Sequence, residues 1–464
     1  MFYCRNEELR KLNKRYDAGN FECIVIYGRR RVGKTTIINE FCKGKPTVFF
    51  SALLEGTAKD NLKTLSRAIY TYNQPDATDA PEYNSFDSAL NEITRLAENE
   101  RIVFVIDEYP YLAKSYPSIS SRLQHLIDHT WKDSKLFLIL CGSSMSFMEN
   151  QVLGYQSPLY GRRTGQFKIE PLTYKETAVF NPELDNVTNA FVYGVTGGIP
   201  HYINKLNVQG DFDNALLENF FDRSAYLFEE PANLLKQELR EPAVYNSVIT
   251  AIAEGASHMN EISTKTGIET GPCSKYLSVL INLGILKKET PMTEKQGKKT
   301  IYSIADPFFR FWYRFVPNNM TPIASGRMEK IYDKAVKACL NDYMGLIFEK
   351  MCKDYLLYYA DELGFQIVDI GQWWGTDSVE KKQVQIDLVG STDNKNEYLI
   401  GSCKFRNEAI GVDEFELLKK YAAVFGKGKT YHYYIFSKGG FTEGLKALGD
   451  KGEVELIALE DMYW

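Results

Sequence analysis

The residues Gly28-Arg29-Arg30-Arg31-Val32-Gly33-Lys34-Thr35 have the spacing G-x-x-x-x-G-K-[ST], between an apolar run at Ile24-Val25-Ile26 and a helical pattern that Thr36 opens. This composition suits a phosphate. Glycines at both ends let the backbone wrap an anion, and successive N–H groups point inward at the start of a helix dipole. Lys34 is expected to reach the β- and γ-phosphates of ATP, and the Thr35 hydroxyl to bind Mg²⁺. A second motif is Ile102-Val103-Phe104-Val105-Ile106-Asp107-Glu108, an apolar run closed by two acids. Asp107 is expected to hold the Mg²⁺ hydration shell and Glu108 to orient the attacking water. A third run ends at Leu140-Cys141-Gly142-Ser143-Ser144, where Ser143 either senses the γ-phosphate or simply turns the chain. Arg162, next to Arg163 in a loop, is either an arginine finger or half of a solvated basic pair. If the finger comes from a neighbouring subunit, the chain is a homo-oligomer. Arg29, Arg30 and Arg31 lie inside the phosphate loop and are expected to form an exposed basic face.

These groups need a scaffold. Buried-strand runs that alternate with helical stretches predict a parallel α/β sheet, with the motifs at its carboxyl edge. The 464 residues correspond to about three domains at ~150 residues each. With 44% hydrophobic and 25% charged residues, the composition is that of an ordinary globular protein. A net charge of -5 excludes a wholly basic nucleic-acid packaging protein. No segment approaches the ~18 consecutive apolar residues of a membrane span. The first residues lack an apolar signal region, so a cytoplasmic protein is expected. The 8 Cys and 5 His show no metal-ligand spacing. Tyr70 to Ser85 is turn-rich and predicts a surface loop. The aromatic run Phe308 to Phe315 reads as core.

Phe2-Tyr3-Cys4-Arg5-Asn6-Glu7-Glu8-Leu9 resembles the F-x-G-R-x-x-E-L box that opens many AAA-related and STAND-class ATPases, with Cys4 in place of glycine. The phosphate loop, the Asp107-Glu108 pair, Gly142-Ser143-Ser144, Tyr160-Gly161-Arg162 and Gly197-Gly198-Ile199-Pro200 follow in matching order. Together they resemble the archaeal-type ATPase family, whose members carry a winged helix and a C-terminal DUF234 domain similar to restriction endonucleases. The resemblance implies Arg5 near the adenine and Pro200 in a helical lid over the nucleotide. The expected division is a P-loop core at 1–170, a lid at 171–238, a winged helix at 239–316 and a PD-(D/E)-x-K-type α/β domain at 317–464.

Between Tyr245 and Ile304 the residues themselves support a helix-turn-helix, its third helix beginning near Pro272 and carrying Ser274 and Lys275 outward. A wing holding Lys295, Lys298 and Lys299 suits DNA phosphates. The recognition face lacks Arg and Asn, so any DNA contact would be largely independent of sequence. Winged helices also dock proteins, and both partners stay open. From about Tyr332 the order is helix, three strands, helix, strand, helix, strand. There the resemblance assigns Glu349, Asp387 and Lys404 to a nuclease-like site, with Ser402 where the pattern has an acid or amide.

The leading expectation is a Mg²⁺-dependent ATPase that moves a winged helix and a nuclease-like domain on DNA. The alternatives are an ATP/ADP switch docking a protein partner and an ATP-regulated DNA nuclease.

Overall fold

The computed structural model describes residues 3–74, 81–292, 294, 299–360 and 363–463. The chain forms two compact units, divided between Pro171 and Leu172.

In the first unit, β1 (Glu22–Tyr27), β2 (Thr47–Ser51), β3 (Val103–Asp107), β4 (Phe137–Gly142) and β5 (Gly165–Lys168) form one parallel sheet in the order β2-β3-β4-β1-β5. β1, β3 and β4 are buried along their whole length, which explains their unbroken apolar sequences. Their register aligns Val25 with Leu140 and Val105 with Ile139, so their carboxyl ends meet at one edge. Because β4 separates β1 from β3, Ser143 emerges between the phosphate loop and the acid pair. Ile93, Leu123 and Trp131 from the flanking helices close the core over β3 and β4.

Gly28 begins the turn out of β1 at φ 154°, and a Cβ there would lie 2.3 Å from the Ile169 carbonyl oxygen. Only glycine fits this approach. The segment expected as a loop from Tyr70 is helical as far as Asn73, in a helix begun by the Thr57–Asp60 capping box. Residues 75–80 of that segment lie outside the described residues.

The second unit opens with the helices Tyr174–Ala178, Asn186–Thr196, Pro200–Leu206, Phe212–Phe220 and Tyr226–Glu238. Helices Pro242–Ala253, Met259–Thr266 and Thr270–Asn282 follow, with the antiparallel pair β6 (Leu286–Glu289) and β7 (Ile301–Ile304). This is the element order of a winged helix. The third helix starts at Thr270, so Pro272 lies within its first turn, where no intrahelical N–H bond is lost. In the helix Pro307–Phe315, Phe308, Phe309 and Phe311 are fully buried, as core residues should be.

The C-terminal sheet joins β8 (Ile367–Thr376), β9 (Gln383–Thr392), β10 (Glu397–Lys404), β11 (Thr430–Ser437) and β12 (Glu455–Ala458) in the order β12-β11-β10-β9-β8. β8, β9 and β10 pair antiparallel, whereas β10, β11 and β12 run parallel. The long helix Leu340–Tyr358 precedes it, and Val412–Phe425 crosses from β10 to β11. Among the described residues, no helix is long and apolar enough to cross a membrane.

Candidate nucleotide and nuclease-like sites

The loop after β1 leads into the helix Lys34–Cys42, with Gly33 at φ 94° as its N-cap. No heavy atom beyond its chain neighbours and its own helix's backbone lies within 4 Å of a Cβ built on Gly33, so its positive φ rather than lack of space favours glycine there. Lys34 is buried, and its ammonium donates to the carbonyls of Gly28 and Arg29, both at 2.9 Å. Burial pushes its pKa below the usual lysine range, while Glu108 and Asp107 oppose the shift. The Thr35 hydroxyl donates to Asp107 Oδ2 at 3.0 Å. One helix and one strand, β3, thus deliver the pair of oxygens predicted for Mg²⁺, a hard donor set of the kind that ion takes. Thr36, beside Thr35, is exposed.

Glu108 sits at φ 52°, in the left-handed region, and caps the helix Tyr109–Ser115. A non-glycine residue held there is costly, and such strain is characteristic of functional positions. Its backbone N–H donates to Asp107 Oδ1 at 3.0 Å. Its carboxylate accepts from the buried Ser143, from Oγ at 2.9 Å and from the backbone N–H at 3.3 Å. Ser143 therefore meets the acid pair rather than standing alone in a turn.

Arg29, Arg30 and Arg31 are half-buried, not the exposed face expected. Arg30 donates to the Tyr111 hydroxyl, and Arg31 takes φ 71°. Val32 is buried. Arg162 is engaged by Asp128 in a two-point fork, Nε to Oδ1 at 2.8 Å and Nη2 to Oδ2 at 2.7 Å. Arg5 bonds Glu8 at 3.3 Å and the Glu170 carbonyl. Pro200 occupies the first position of its helix in the second unit. Ser274 and Lys275 are exposed on the third helix of the winged-helix segment. Lys299 forms an ion pair with Glu294 at 2.6 Å, whereas Lys295 and Lys298 lie outside the described residues. Near the end of the wing's first strand, the Met292 N–H donates to the Gln372 carbonyl on β8 at 2.8 Å.

In the C-terminal sheet, Asp387 on β9 accepts from the Cys403 backbone at 2.9 Å, and Lys404 on β10 lies 3.3 Å from the same carboxylate oxygen. Glu349 accepts from Gln372 and is pushed up to about 8 by burial and then by the charge of Asp387. The residue missed from sequence is Glu414. Its Oε1 accepts from Ser402 Oγ at 2.7 Å and lies 3.3 Å from Lys404 Nζ. Burial opposes the charge on Lys404, but Asp387 and Glu414 outweigh it, so its pKa is raised. A helix thus supplies the carboxylate that position 402 lacks. Among the described residues, however, no three His, Cys, Asp or Glu side chains gather closely enough to hold a metal ion.

Fold and site define the first unit as a P-loop ATPase domain. Residues 2–206 match a family described as an ATPase domain predominantly from Archaea, and residues 312–417 match DUF234, archaeal and bacterial proteins of unknown function. An uncharacterized protein of Methanocaldococcus jannaschii is 33% identical over 448 residues, which cover 92% of this chain and 96% of that protein. An uncharacterized ATP-binding protein of the same organism is 44% identical over 45 residues, 10% of this chain and 76% of the relative. The Walker-type ATPase of Pyrococcus abyssi shares the fold at a TM-score of 0.53 and 20% identity, covering 68% of this chain and 96% of that one. The chain belongs to the archaeal-type ATPase family and also carries a DUF234 domain.

Proposed function

We propose that the chain binds and hydrolyses ATP with Mg²⁺, and that its nucleotide state controls the winged-helix and nuclease-like module on DNA. The observation that carries the ATPase reading is the convergence of Lys34, Thr35, Asp107, Glu108 and Ser143 at one sheet edge. Lys34 and the loop N–H groups would hold the phosphates, exchanging the carbonyls of Gly28 and Arg29 for phosphate oxygens. Thr35 and Asp107 would hold Mg²⁺, which when bound neutralises phosphate charge. Glu108 turns from Ser143 to accept a proton from the attacking water, so the Ser143 hydrogen bond sets the resting position of the base. Arg5 and Pro200 would address the adenine side. Arg162 can serve as a finger only after leaving Asp128. We take the lid as 171–238, the winged helix as 239–316 and the nuclease-like domain as 317–464.

Ser274, Lys275 and the basic wing are the surface offered to DNA phosphates. A second reading, an ATP/ADP switch that docks a protein, is favoured by the Met292–Gln372 bond, which commits part of the wing segment to the C-terminal sheet. DNA binding by the full chain, titrated with salt in the presence of ATP or ADP, separates the two. Steep salt dependence that changes with the nucleotide supports action on DNA, because phosphate contacts release counterions. A nucleotide-dependent change in the module without DNA binding supports the switch.

A further inference from the structure

Arg310 is a cation that the core packing does not explain. It lies in the aromatic helix Pro307–Phe315, half-buried, and its Nε has no hydrogen-bond partner. Among the described residues its side chain forms no ion pair, whereas Arg314, one turn on, is held by Asp342 at 2.6 Å. Burial pushes its pKa below the usual arginine range. A buried donor left without a partner costs free energy, which an anion reaching the guanidinium from the adjoining cavity would offset.

Space for one is present. Arg310 lines a cavity of about 280 Å³ with Lys287 of β6, Lys353 and Glu349 of the helix Leu340–Tyr358, Gln372 of β8 and Asp387 of β9. It also borders a second hollow of about 350 Å³ beside Ser257 and Ser303. Lys287 is neutralised by Glu289 at 2.8 Å. Lys353 donates to the Ile370 carbonyl at 2.6 Å and, among the described residues, pairs with no acid. Two cations without carboxylates of their own therefore face the acids of the nuclease-like site. The larger-charged cavity lies near the lower edge of the ~300–1,000 Å³ typical of small-ligand sites, the scale of one nucleotide rather than of a duplex.

We propose that this cavity, where the winged-helix segment meets the C-terminal sheet, binds a nucleotide phosphate, with Arg310 as its planar two-point anchor and Lys353 as the second cation. The proposal rests on the nuclease-like reading of the C-terminal domain and is independent of ATP turnover. Its chemistry is shared by a free nucleotide and by the 5′ end of a nucleic-acid strand.

The test uses the full chain carrying Lys34→Ala, so that the P-loop does not contribute. Calorimetric titrations compare deoxythymidine monophosphate, 5′-phosphorylated thymidine trinucleotide and unphosphorylated thymidine. Binding of either phosphorylated probe, but not of thymidine, is expected. Arg310→Gln should weaken it by about 10-fold or more, the size of a lost charge-assisted hydrogen bond. Lys353→Gln should weaken it by a smaller factor, and it decides the matter if Arg310→Gln does not fold. The free Arg310→Gln chain should melt at the same temperature as its parent or higher, which a structural arginine would not allow. Tighter binding of the monophosphate marks a free nucleotide, and tighter binding of the trinucleotide marks a strand end. Absence of binding by both phosphorylated probes, or binding unchanged by both substitutions, overturns the proposal. ATP turnover measured in parallel in the otherwise native chain carrying Arg310→Gln reports separately on the ATPase reading.

Discussion

The P-loop site sits at the carboxyl ends of parallel strands, whereas the C-terminal group draws Asp387 from the middle of β9, Lys404 from the end of β10, and Glu349 and Glu414 from two helices. In the first, residues of contiguous motifs meet directly: Thr35 donates to Asp107 at 3.0 Å, and Ser143 donates to Glu108 at 2.9 Å. In the second, the motif position at 402 holds a hydroxyl, and the missing carboxylate arrives from the helix Val412–Phe425 as Glu414. Lys404 lies 3.3 Å from each of two carboxylates there, those of Asp387 and Glu414. The contrast separates a lysine held by backbone carbonyls, Lys34, from one whose charge two carboxylates already meet, Lys404. An ion pair that is internally satisfied gains little from a ligand, whereas a loop holding its lysine on backbone carbonyls releases it readily to phosphate.

Substitutions can break this comparison by moving one site without the other. The largest effect is expected for Lys34→Ala, which should weaken ATP binding by about 10²-fold or more, from the loss of charge-assisted phosphate contacts. Nucleotide titration checks it, and the stability of the C-terminal sheet should not change. Gly28→Ala comes next. Its Cβ would press on the Ile169 carbonyl at 2.3 Å, and strain of about 1–3 kcal/mol should appear as a lower melting temperature of the ATPase unit.

Glu349→Gln sharpens the comparison from the other side. The folded pKa of about 8 lies above the ordinary 4.5, so between these values the folded chain holds a proton that the unfolded chain has lost. The Glu349 contribution to stability therefore falls as pH rises through that window and is flat above it, with a slope below ~1.4 kcal/mol per pH unit. Denaturant melts from pH 5 to 8 should be flatter for the glutamine variant, with ATP turnover unchanged. The smallest effect belongs to Ser143→Ala. It removes one hydrogen bond, about 1 kcal/mol, and should alter turnover by about five- to ten-fold with little change in ATP affinity.

Much of the first site is legible in the sequence because its motifs are contiguous and each follows a buried strand. Gly28 to Thr35 carry their own geometry, and Asp107-Glu108 end a fully apolar run. The order of elements after Leu340 was likewise readable from alternating patterns. What escaped reading depends on contacts between distant segments. Glu414 lies ten positions beyond Lys404 on another element, and nothing local marks it. The bond from Met292 to β8 needs the sheet edge to exist first. Arg310 hides inside an aromatic run whose core character is evident, while its lack of a partner appears only after packing. The basic face expected of Arg29 to Arg31 failed for the same reason, since the loop's fold decides their exposure.

The proposed role of Glu108 is to activate the water that attacks ATP. ATP binding and phosphate release, measured for Glu108→Gln against the native chain in Mg²⁺, test this role. Unchanged ATP affinity is expected, with turnover reduced by about 10²–10⁴-fold, the range of a lost general base. Native-level phosphate release from the glutamine variant would contradict it.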